Sequence, residues 1–65
     1  MLHNHTGYIL DAASVREAQA ALDELRTRDG KLTTKKLTLR GRSHGGHDSV
    51  TFNAIINDAG VLKER

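Results

Sequence analysis

Residues 34–42 read Thr-Lys-Lys-Leu-Thr-Leu-Arg-Gly-Arg, and their rhythm decides what kind of fold this 65-residue chain adopts. Leu37 and Leu39 alternate with Lys36, Thr38 and Arg40. A period of two puts the leucines on one face of an extended chain and the cations on the other. Threonines at 33, 34 and 38 favour that extended state. The pattern predicts a strand over 34–42 with one face turned inward.

Working outward toward the C-terminus, a polar, glycine-bearing stretch from Ser43 to Asp48 comes before a second alternation. Here Val50, Phe52, Ala54 and Ile56 fall on one side, with Thr51, Asn53 and Asn57 on the other. The two segments are expected to pair as an antiparallel hairpin across Gly45 and Gly46. A turn at Asn57–Gly60 then releases a short strand from Val61 to Glu64. A rival reading exists for this region, because Phe52, Ile55, Ile56 and Ala59 also fit helical spacing behind Asp48 or Ser49 as a cap. On that reading 34–59 is helical, and a helix-turn-helix would present Thr51, Asn53 and Asn57 to DNA.

Toward the N-terminus the period changes. Val15, Ala18, Ala21, Leu22 and Leu25 recur at helical spacing between Asp11 and Asp29, opposite Arg16, Gln19, Asp23, Glu24 and Arg26. Ser14 with Glu17 fits a capping box and Asp11 is an alternative cap, while Glu24 and Arg28 form an i,i+4 pair in the favourable order. Asp29 and Gly30 supply the stop. Before the helix, Gly7-Tyr8-Ile9-Leu10 reads as a brief strand, and residues 1–6 as a flexible polar lead-in. The expected fold is α+β: one amphipathic helix packed on a small antiparallel sheet in the order β-α-β-β, with a short terminal strand. Val15, Ala18, Leu22 and Leu25 are expected to meet Leu37, Leu39, Phe52 and Ile56.

Length makes residues 1–65 one small domain with a thin core. Chains of this size bury only about 60% of the surface they expose when unfolded. The absence of cysteine excludes disulfides and thiolate metal sites. A homodimer or an obligate complex is the expectation. With no long apolar run and no basic-then-apolar start, the reading is cytoplasmic, with no membrane partner; the Asn4-His5-Thr6 glycosylation acceptor is void on that reading.

Net charge is only +2, but its distribution is uneven. Arg26, Arg28, Lys31, Lys35, Lys36, Arg40 and Arg42 face the single acid Asp29 between residues 26 and 42, a local charge of +6. Such a patch attracts phosphates or an acidic protein surface. Lys36, Arg40 and Arg42 would form a ribbon opposite Leu37 and Leu39, able to lie along a phosphate backbone. The competing explanation is that outward lysines and arginines serve as solubilising and edge-protecting residues. No aromatic residue is interleaved with these cations, which argues against stacking on single-stranded bases.

Two histidine pairs, His3 with His5 and His44 with His47, have spacings that permit metal ligation. Four-histidine zinc sites are unusual in structural roles, and the loop pair His44 and His47 is the weak candidate; no cofactor is expected. The Gly41–Asp48 segment lacks the lysine and spacing of a phosphate loop and reads as a hairpin tip. No nucleophile stands in a recognisable elbow and no carboxylate pair is placed for acid–base work, so the chain is read as a non-enzyme. Two function classes remain from the sequence: a nucleic-acid-binding or regulatory protein using the basic patch, and a protein-interaction module docking on an acidic partner as a small regulator or inhibitor.

Overall fold

The computed structural model describes residues 1–27 and 33–65. Along the chain come β1 (His3–Asn4), β2 (Tyr8–Leu10), α1 (Ala12–Thr27), β3 (Thr34–Ser43), β4 (Val50–Asn57) and β5 (Val61–Glu64). The strands form a single sheet in the order β1-β5-β4-β3-β2. The class is α+β, one helix against one small sheet.

The hairpin of β3 and β4 runs in register from Thr34 opposite Asn57 to Gly41 opposite Val50, which sets Leu37 against Ala54 and Leu39 against Phe52. Gly45 turns the chain at φ 81°, and the amide of Gly46 donates to the carbonyl of Ser43 at 2.9 Å. The helical reading of residues 34–59 is thereby overturned. Phe52, Ala54 and Ile56 are buried while Thr51 and Asn53 are exposed, the period of an extended chain with one face covered.

One expectation about the sheet is corrected: it is mixed rather than purely antiparallel. β1 pairs parallel with β5, His3 beside Val61 and Asn4 beside Leu62. The cause is a reversal between β1 and β2. There the Asn4 side-chain oxygen accepts from the Thr6 amide at 3.0 Å and from the Thr6 hydroxyl at 2.6 Å. The Tyr8 amide in turn donates to the Thr6 hydroxyl at 3.1 Å, and Gly7 takes φ 79°. β2 is antiparallel to β3, and β5, two antiparallel steps from β3, runs the same way as β3. A strand reversed from β2 can then meet β5 only in parallel. Residues 1–6, read as a lead-in, thus carry the first strand.

β1 and β2 stand at opposite edges of the sheet, which in a flat arrangement would be about 19 Å apart. The side-chain amide of Asn4 nevertheless donates to the carbonyl of Tyr8 at 2.9 Å, and the Tyr8 hydroxyl donates to Glu64 at 3.3 Å. The sheet is therefore curled until its edges meet. Inside the curl, Leu37, Leu39, Phe52, Ala54, Ile56 and Leu62 form one core with Ala18, Ala21, Leu22 and Leu25 of α1. Tyr8 stacks on Phe52 with ring centroids 4.1 Å apart and planes at 11°.

The helix begins one turn earlier than a Ser14 cap requires. The carbonyl of Asp11 accepts from the Val15 amide at 3.0 Å, so Asp11 occupies the cap position. Ser14 is buried within the helix, and its hydroxyl accepts from the backbone amide of Arg40 at 2.7 Å. That bond satisfies a part-buried β3 amide beside the helix, and Val15, expected in the core, is half-buried. The expected stop at Asp29 and Gly30, and the Glu24–Arg28 pair, fall outside the described residues.

Candidate nucleic-acid interface

On β3, β4 and β5 alternate residues are committed to the core, and the others are left facing solvent. On β3 the outward residues are Lys36, Thr38, Arg40 and Arg42, all exposed. Pairing extends this face sideways. Lys36 lies opposite Ile55 of β4, which lies opposite Lys63 of β5. Thr38 lies opposite Asn53, whose carbonyl accepts from the Arg65 amide at 2.9 Å, so Arg65 continues the same row. Lys63 and Arg65 are exposed like their β3 counterparts.

Sequence reasoning missed Lys63 and Arg65. They are distant in the chain from the basic stretch, and only the register of β5 on β4 brings them to its face. The signal was present in the alternation Lys63-Glu64-Arg65, which in a strand throws both cations one way and the acid the other. Glu64 indeed turns the other way, where its exposed carboxylate accepts from the Tyr8 hydroxyl. Its carboxylate raises the phenol's pKa above the ordinary value through its charge, with desolvation and the hydrogen bond adding in the same direction.

The predicted seven-residue patch is divided by the structure. Lys36, Arg40 and Arg42 share the outer face. Lys35, one residue out of phase, turns toward the helix and pairs with Glu24. Arg26 lies on α1 and donates to the carbonyl of Asp58 at 3.4 Å, away from that face. Arg28 and Lys31 lie outside the described residues. Arg40 is itself steered by Asp11, with Nε 3.6 Å from the carboxylate, and the same carboxylate accepts from Ser49 at 3.1 Å. Among the described residues Asp11 is the one acid touching an outer-face cation.

Between the cations of β3 and those of β5 runs an uncharged aisle on β4: Thr51, Asn53, Ile55 and Asn57. The Thr38 hydroxyl donates to Asn53 at 3.4 Å. The chain's two aromatic residues, Tyr8 and Phe52, are stacked on each other on the opposite side and are absent from this face.

His44 and His47 stand exposed in the hairpin loop, and no three histidine or carboxylate side chains gather around a potential metal position among the described residues. Beside the β1–β2 edge, Leu2, Ile9, Leu10, Val15 and Gln19 line an open groove of about 510 Å3. No helix among the described residues is long and apolar enough to cross a membrane. No family model matches the chain, and neither a curated protein nor a solved structure matches it.

Proposed function

We propose that this protein is a non-enzymatic nucleic-acid-binding module whose outer sheet face holds phosphates. The observation that carries the reading is the convergence of Lys36, Arg40, Arg42, Lys63 and Arg65 on one exposed face, while the acid of β5 turns to the other side, to Tyr8. Cations so placed neutralise phosphates and release counterions, and they act without reading bases. Lys35 and Arg26, engaged on the helix side, do not contribute to this face. The test is fluorescence anisotropy with a mixed-sequence nucleic acid at several salt concentrations. Affinity is expected to fall steeply with salt and to drop in the Lys36→Glu, Arg42→Glu double variant. Salt-independent binding, or none at low salt, would remove the proposal.

A second reading, a protein-interaction module that self-associates in the cytoplasm, is favoured by one observation. Ile9 is 42% exposed and lines the apolar groove together with Met1, which is 87% exposed. In a domain with so thin a core, covering these side chains with a second copy would add apolar burial. Sedimentation equilibrium checks it: a folded monomer across a wide concentration range excludes self-association.

A further inference from the structure

Resting on the phosphate-binding reading, we infer that the ligand is double-stranded, and that the sheet straddles the minor groove of duplex DNA with one phosphate strand on each of two rails of cations. The first rail is Lys36, Arg40 and Arg42 on β3; the second is Lys63 and Arg65 on and just beyond β5. The uncharged β4 aisle separates them.

Three physical considerations lead there. Neighbouring strands lie about 4.8 Å apart, so the two rails are roughly 10 Å apart at the backbone, and long side chains on the outside of a curled sheet splay further. A single phosphate strand lying on this surface would meet one rail and leave the other unmatched. Two strands flanking a groove about 6 Å wide between their surfaces, with the phosphates themselves added, match both rails.

The second consideration is length. Lys36 to Arg42 spans about 20 Å of extended chain, several times the roughly 3.4 Å of axial rise between successive phosphates of one strand, so the rail reaches more than one phosphate. Arg40 and Arg42, two residues apart, and Lys36, four residues before Arg40, each have room to meet a different phosphate.

The third is what occupies the aisle. Single-stranded nucleic acid is held by bases stacking on aromatic rings, and this face has none, since Tyr8 and Phe52 stack on each other inside the curl. Thr51 and Asn53 are short, so they sit over the groove without reaching its floor. Binding is accordingly tolerant of sequence, with at most a preference between A·T and G·C pairs.

Fluorescence anisotropy decides the matter with three labelled probes of one mixed sequence: a 20-base-pair DNA duplex, its single strand and the corresponding RNA duplex. The DNA duplex is expected to bind at least about tenfold more tightly than either of the others. Its log-affinity against log-salt slope is expected near about −4, since five cations at about 0.9 each are reduced by the Asp11 partner of Arg40. Reversing the second rail alone, Lys63→Glu with Arg65→Glu, should weaken duplex binding by at least about tenfold and flatten the slope by about two units, leaving the weaker single-strand binding within about threefold. Should the reversed variant lose its native circular dichroism, the neutral pair Lys63→Gln and Arg65→Gln replaces it, with a proportionately smaller loss. Glu64→Gln, on the opposite side of β5, should retain full affinity.

Equal or tighter binding of the single strand would overturn the two-rail inference while leaving the phosphate-binding reading intact. Tighter binding of the RNA duplex would overturn the assignment to the DNA groove. Failure of all three probes to bind at low salt would overturn the inference and the reading beneath it together.

Discussion

The two faces of the sheet are built by the same strands from alternate residues, yet they answer to different forces. Inward, Leu39, Ile56 and Leu62 are fully buried and hold the helix by removal of apolar surface from water. Outward, Lys36, Thr38, Arg42 and Lys63 contact solvent and few neighbours. The lesson is a separation of duties at single-residue spacing: a substitution at position n should change stability where one at n+1 changes only the surface charge.

The largest test of that separation is Leu39→Ala. Deleting this side chain is expected to cost about 2–5 kcal/mol, enough to unfold much of so small a domain, whereas Thr38→Ala beside it should stay within about 0.5 kcal/mol. Urea denaturation of the pair measures both, and equal losses would break the comparison. Ser14→Ala comes next, at about 1–2 kcal/mol, because it leaves the part-buried amide of Arg40 without its partner. An unchanged denaturation midpoint would show that water replaces the hydroxyl.

Gly60→Ala sharpens the picture at the β4–β5 turn. The glycine has φ 87°, and an added Cβ would lie 2.4 Å from the Met1 carbonyl. A loss of more than about 1 kcal/mol is expected, read as a lower melting temperature. On the outer face, Lys36→Glu with Arg42→Glu should leave the melting temperature nearly unmoved while weakening nucleic-acid binding by at least about tenfold. Stability lost in step with affinity would contradict the division between faces.

The smallest effect concerns Tyr8. Since Glu64 raises its pKa in the folded state, the native protein holds the phenolic proton more firmly than the unfolded chain does. The contribution to stability is present below the ordinary value of 10.0 and is lost as pH rises through the higher folded value. Ultraviolet titration of the phenolate should therefore move to lower pH in Glu64→Gln, and an unmoved curve would deny the contact.

Much of this architecture was legible in residue spacing. The period of two at Leu37 and Leu39, and again at Phe52, Ala54 and Ile56, marked the hairpin, and the period of 3.6 from Ala18 to Leu25 marked the helix. β1 was not legible. Its two residues, His3 and Asn4, carry no apolar pattern, and they are strand only because β5 offers hydrogen-bonding partners. Ser14 defeated the capping rule because its hydroxyl serves a distant strand amide, a partner that local sequence does not display. In the candidate site, adjacency along the chain grouped Arg26 and Lys35 with Lys36, although consecutive strand residues face opposite ways. The same habit hid Lys63 and Arg65, whose place follows from register across a turn.

The meeting of the sheet's two margins at Asn4 and Tyr8 has a consequence for self-recognition in the crowded cell. Open margins offer unpaired amides and carbonyls onto which another chain can add, the first step toward ordered aggregates. Here the two margins are joined at Asn4 and Tyr8, and that junction forms only once β1 has found β5 across nearly the whole contour of the polypeptide. A molecule caught with its central hairpin made and that long-range encounter still pending is the vulnerable species.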